Sequence, residues 1–303
     1  MARILTVGVA TLDVVISVDD FPREDVKMRA RGVTTRRGGN AANTAVVLSQ
    51  LGHDTSWAGS VSTDGNGDFI TRDLARAGVK SGGIAVQRDG ALPVSYILNS
   101  VASGSRTIIH HRDLPEFNFE DFRRLDLRRY DWLHFEGRNV AETRCMLAHY
   151  RGQHSALPCS LEVEKPREGI EELFELADVL LFSRQYARAR GFEEPGSLLA
   201  EVAPRAPRAL LVCAWGEAGA WARTYEGEEF HSPACSYGAV VDTIGAGDVL
   251  NAGVIHGLVN QQPLNRVLPF GCQLAGVKCA QEGLEDLLAN YHRLVTTDKP
   301  AQP

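Results

Sequence analysis

The chain has 303 residues, of which 44% are hydrophobic and 23% charged, with a formal net charge of −6. That is enough to bury the core of one large α/β domain, and a mildly acidic chain without a Lys/Arg run gives no basis for a nucleic-acid partner. No apolar run reaches membrane-span length, Asp13 cuts the apolar N-terminus short, and the six cysteines form no Cys-x-x-Cys pair, so a cytoplasmic protein with free thiols and no membrane or zinc role is expected.

In chain order, Ile4–Ala10 reads as a buried strand, and Asp13 follows it, where α/β sheets present their ligand-binding groups. Val14–Val18 and Val26–Val33 are runs suited to a small separate sheet. Gly38-Gly39 then leads into a helix over roughly 41–51, with Asn40 as its cap or as a ligand-binding amide, and Asn43 on the same edge of the helix start. Two amides with Asp13 suit the vicinal hydroxyls of a polyol.

Residues 55–61 read as a strand and Gly67–Ala77 as an amphipathic helix. Pro93–Asn99 and Ser105–His111 are strand-like around an Ala102-Ser103-Gly104 turn, with Arg106 on the second run. Strands are expected at Asp131–Glu136, which Gly137 and Arg138 follow, at Cys159–Val163, which Glu164 follows, at Val179–Phe182, and at Ala209–Ala214. A helix lies between the first two, over 140–150, and a Gly-bearing loop, Trp215–Gly219, follows the last.

Residues 242–258 carry the most chemistry. Val240-Val241 resembles the end of a strand, Gly245-Ala246-Gly247 is a turn almost without side chains, and a buried helix begins near Asp248. Helix starts leave N–H groups unpaired at the positive end of the dipole, and small residues let an anion reach them. Asp248 at that place either caps the helix or is a base that takes a hydroxyl proton while the amides hold a transferring phosphoryl group. Arg266–Cys279 reads as a further helix, and 291–303 as a polar, frayed tail. The alternation predicts an α/β fold: one doubly wound, mostly parallel sheet over 1–303, with a small β-sheet lid from roughly 13–37 and 90–112.

Asp242-Thr243-x-Gly245-Ala246-Gly247-Asp248 and Gly38-Gly39-Asn40-Ala41-Ala42-Asn43 resemble the two signatures of the ribokinase-like PfkB family of carbohydrate kinases. Ser105–Ile108, Glu136-Gly137-Arg138-Asn139, Glu162–Arg167, Cys213-Ala214-Trp215 and Phe270–Gln273 are similar to its members that phosphorylate D-fructose at the 1-hydroxyl. The resemblance implies an ATP-dependent kinase using Mg2+, with K+ as activator, and a homodimer joined through the lid. It implies sugar contacts at Asp13, Gly39, Asn40, Asn43, Arg138 and Asp248, and an anion hole at Gly245, Ala246 and Gly247. Arg106 would face the phosphates, and Ala214, Gly216, Gly219 and Cys272 the adenosine. Glu164 would meet Mg2+ through water, and Asp242 would lie near K+. Ser183-Arg184-Gln185-Tyr186 departs from the Asn-x-x-Glu that many members carry, which leaves the Mg2+ arrangement open. The rival readings are a kinase of another sugar or a nucleoside, and a non-catalytic sugar sensor.

Overall fold

The computed structural model describes residues 1–81, 86–153 and 157–297. In chain order the strands are β1 (Arg3–Val7), β2 (Thr11–Val18), β3 (Gly32–Gly38), β4 (Asp54–Ala58), β5 (Ser60–Ser62), β6 (Val86–Arg88), β7 (Val94–Ser100), β8 (Arg106–His111), β9 (Trp132–Glu136), β10 (Cys159–Val163), β11 (Val179–Phe182), β12 (Leu210–Ala214), β13 (Ala220–Arg223) and β14 (Glu229–Ser232). The α-helices are α1 (Asn40–Gln50), α2 (Gly65–Arg76), α3 (Phe119–Phe122), α4 (Val140–Gln153), α5 (Arg184–Ala189), α6 (Pro195–Val202), α7 (Ala246–Val259), α8 (Leu264–Cys279) and α9 (Leu287–Thr297).

An eight-stranded sheet runs β14-β13-β12-β11-β10-β9-β1-β4. It is parallel from β4 to β12, and β13 and β14 extend it antiparallel. Successive side chains on a strand face opposite sides. On β11, Leu180 and Phe182 join the core under α4 and α6, while Val179 and Leu181 join the core under α7 and α8. Both faces are covered, so the central strands are apolar throughout rather than alternating.

A separate four-stranded sheet runs β3-β2-β7-β8. Its β3 lies later in the chain than the expected Val26–Val33 run, because the pairing of Ser17 with Gly32 through Thr11 with Gly38 places Arg36 opposite Asp13. Two further expectations are corrected. Val240 and Val241 are not in a strand; they are 70% and 53% exposed, and the Val241 N–H is held by the Cys279 carbonyl at 2.7 Å. The expected tail is helical through Thr297, since α9 packs on α8 with Tyr291 edge-on to Phe270 at 5.5 Å between ring centres. Residues 298–303 of that tail lie outside the described residues.

Candidate active site

The first ladder bond of α7 is the Val249 N–H to the Gly245 carbonyl at 2.9 Å, so the amides ahead of it head the helix. Gly245 is the N-cap at φ 83°, a left-handed conformation that favours glycine, and no side chain caps the helix. The Asp248 carboxylate is therefore not spent on capping. It is 5% exposed and accepts a hydrogen bond from Asn43 Nδ2 at 2.7 Å. Burial pushes its pKa well above the usual carboxylate range; the Asn43 bond opposes this, and the charges of Glu164 and Glu136 add to it.

Asn43 reaches Asp248 because α1 and α7 meet near their N-termini. The turn into α1 requires glycine at two points. A Cβ on Gly38 would lie 2.1 Å from the Asp13 carboxylate, and one on Gly39, at φ 95°, would lie 2.3 Å from the Val9 carbonyl. Gly39 is the N-cap of α1, which leaves Asn40 inside the first turn with its amide donating to Glu162 Oε1 at 3.1 Å. Asn43 Oδ1 in turn accepts from Arg37 Nη1 at 2.5 Å, and Arg37 Nε donates to Asp73 at 2.8 Å. A charged chain thus fixes the amide that addresses Asp248.

Asp13 sits within β2 rather than beyond the end of β1. It is buried, accepts from Thr11 Oγ1 at 2.8 Å, and has a pKa raised by burial against the hydrogen bonds of Thr11 and Ser95. Arg138 is paired with acids: its Nε donates to Glu116 at 2.8 Å, and Nη1 lies 3.8 Å from Glu136. Glu164 is half-buried beyond β10, with Lys165 Nζ at 3.5 Å.

On the other side of the Gly245–Gly247 turn, a cleft of about 630 Å³ is lined by Arg106, Ala214, Gly216, Gly219, Gly247 and Cys272, among others. Arg106 crosses from β8 to donate to Thr243 Oγ1 at 2.6 Å. The structure therefore brings Arg106, Ala214, Gly216, Gly219, Gly247 and Cys272 of the expected nucleotide-side residues into one cavity, while Gly245 does not line it.

Two residues outside the sequence expectation bear on the site. Glu162, 6% exposed at the end of β10, accepts from Asn40 Nδ2 at 3.1 Å and from Asn251 Nδ2 at 3.2 Å, while its Oε2 is buried without a partner among the described residues. Burial and the neighbouring Asp248, Glu136 and Glu164 charges raise its pKa well above the usual range. Arg184 adds a second cation to the cleft, paired with Glu217 at 2.8 Å.

Asp242 is fully engaged. Its carboxylate accepts from Arg36 at 2.8 Å, Lys278 at 3.0 Å, Ile244 N–H at 2.9 Å and Gly283 N–H at 3.2 Å. Burial opposes ionisation, but the Arg36 bond, the Lys278 charge and the Ile244 N–H prevail and hold the pKa at about 2. The Asp242 carboxylate and carbonyl, where K+ was expected nearby, both face the Lys278 ammonium.

The family model described as pfkB family carbohydrate kinase matches residues 1–289. The chain is 37% identical to ketohexokinase of Mus musculus over 294 residues, covering 94% of this chain and 99% of that one. It is 27% identical to an ATP-dependent ribose-1-phosphate kinase of Halopiger xanaduensis, covering 93% and 94%. In fold it is similar to a putative ribokinase from Agrobacterium tumefaciens, with a TM-score of 0.83 at 21% identity, covering 97% and 99%.

Proposed function

Because the chain belongs to the pfkB family of carbohydrate kinases, we propose that it phosphorylates a ketose, D-fructose first, at the 1-hydroxyl with ATP to give fructose 1-phosphate and ADP. The observation that carries the chemistry is the buried Asp248 carboxylate at the head of α7, held by Asn43 and free of any capping bond. The sugar oxygen attacks the γ-phosphorus, the bond from that phosphorus to the bridging oxygen breaks, and the hydroxyl proton passes to Asp248. The amides of Gly245, Ala246 and Gly247 receive the charge on the transferring group, and Arg106 adds a guanidinium from the lid. Asp13, Gly39, Asn40, Asn43 and Arg138 hold the sugar; Ala214, Gly216, Gly219 and Cys272 line the adenosine side.

Mg2+ bound with the nucleotide screens its phosphate charge. Among the described residues no group of three or more His, Cys, Asp or Glu side chains is arranged to hold a metal ion. Glu164, half-buried beyond β10, would address that Mg2+ through water. The preference for fructose rests on the ketohexokinase likeness over nearly the whole chain.

The same reading includes a homodimer through the four-stranded sheet. Its strand register puts Val14, Ile16, Val33, Tyr96, Leu98 and Ile109 on one face. Val33, Tyr96 and Ile109 are 62%, 45% and 60% exposed, an apolar surface that a second copy would cover.

The test is ADP release with Mg2+-ATP across D-fructose, D-tagatose, D-ribose, D-glucose and adenosine, with the product identified. Fructose-dependent formation of the 1-phosphate is expected. Turnover on another substrate alone refutes the substrate assignment, and sugar binding without ADP release makes the protein a sensor.

A further inference from the structure

Lys278 is fully buried at the penultimate position of α8. Its ammonium donates to the Asp242 carbonyl at 2.8 Å, the Asp242 carboxylate at 3.0 Å and the Gln281 carbonyl at 3.3 Å. These acceptors match the three donors of an ammonium. They come from two segments, one leading into the Gly245–Gly247 turn and one leaving α8. A ring of carbonyl and carboxylate oxygens is also what holds a dehydrated K+.

K+ does not fit here as well. The Asp242 carboxylate already faces two cations, with Arg36 at 2.8 Å and Lys278 at 3.0 Å. A third positive charge would meet two like charges against one carboxylate, in a place with little water to screen them.

We propose that Lys278 is a tethered internal cation that positions the phosphate-holding turn and makes turnover independent of any monovalent cation. The inference rests on the phosphoryl-transfer reading only for its effect on turnover. Lys278 holds the Asp242 carbonyl, and the Asp242 carboxylate holds the Ile244 N–H at 2.9 Å, immediately before the left-handed Gly245. Both constraints act on the peptides whose amides follow. Their loss displaces the turn rather than the sugar pocket, so kcat falls more than the sugar KM rises.

The test compares wild type with Lys278→Ala in KCl, NH4Cl and choline chloride at constant ionic strength. Wild-type kcat is expected to be the same in all three salts. Lys278→Ala is expected to lose roughly 10- to 100-fold in kcat in choline, the cost of a displacement of about 1 Å, and to recover in KCl or NH4Cl. Independently of turnover, K+ should raise the melting temperature of Lys278→Ala over choline, and crystals grown with RbCl should show anomalous scattering beside Asp242 in that variant alone. Lys278→Met, which fills the volume without the charge, should show neither rescue nor Rb+; it serves if the alanine variant fails to fold in choline. K+ stimulation of the wild type, or Rb+ beside Asp242 in the wild type, overturns the proposal. So does a Lys278→Ala protein whose turnover and melting ignore K+. If no substrate turns over in any salt, the kinase reading fails, and the melting and Rb+ comparisons still decide the role of Lys278.

Discussion

Replacing Asp248 by Asn removes the proposed proton acceptor and little else. The side chains are nearly isosteric, and the amide oxygen of an Asn can take the bond that Asn43 Nδ2 now makes at 2.7 Å. The α1–α7 contact and the α7 amides stay in place. A positioned general base contributes on the order of 10²–10⁴ in rate, which at about 1.36 kcal/mol per decade is roughly 3–5 kcal/mol of transition-state stabilisation. The folded state should not suffer, because the exchange puts a neutral group where burial already disfavours the carboxylate. Asp248→Asn is therefore expected to lose about 10²–10⁴ in kcat, with an unchanged melting temperature and sugar binding by calorimetry close to wild type. A variant that retains wild-type turnover refutes the base assignment. A variant that loses turnover and sugar binding together shows that Asp248 holds the ground state, which this geometry does not predict.

The pH profile carries the same assignment. On the proposed mechanism protonation of Asp248 stops turnover, and its pKa is raised by burial, so kcat/KM should fall with decreasing pH while still above the ordinary Asp value of about 3.9. A profile flat down to that value contradicts a buried base. Glu162→Leu should raise the sugar KM and lower kcat, because Asn40 and Asn251 lose their shared acceptor. Glu162→Gln, which keeps that acceptor, should restore both, and equal kinetics in the two variants would deny Glu162 a positioning role. Ile109→Asp, placed on the exposed face of the four-stranded sheet, should sediment as a monomer where the wild type sediments as the proposed dimer; equal sedimentation coefficients would refute a dimer through this sheet.

The parallel core was legible because strands buried on both faces must be apolar throughout, as Val179–Phe182 is. Gly39 and Gly245 were legible as turn residues, and both adopt left-handed backbone, at φ 95° and 83°. What misled the reading is equally physical. Val240 and Val241 have strand composition, but the sheet already ends at β14 and they lie exposed against the end of α8. The β3 strand, Gly-Val-Thr-Thr-Arg-Arg-Gly, is mostly exposed and carries no alternation to find. Glu162 and Lys278 did leave a signal: each is a charged residue at a position the local pattern assigns to the interior. Glu162 lies inside an apolar strand, and Lys278 shares the buried face of α8 with Gly271 and Leu274. The side chains they pair with, Asn40 and Asn251 for Glu162 and Asp242 for Lys278, lie too far away in sequence to be read from it.

The four-stranded sheet grips the loop ahead of α7 from both of its edges. Arg36 on edge strand β3 holds Asp242, and Arg106 on the opposite edge strand β8 holds Thr243, the next residue along. The two ties are unequal, since the first is a half-buried ion pair and the second an exposed bond to a hydroxyl. A phosphate group in the cleft that drew Arg106 away from Thr243 would release the β8 edge and leave the β3 edge tied through Arg36.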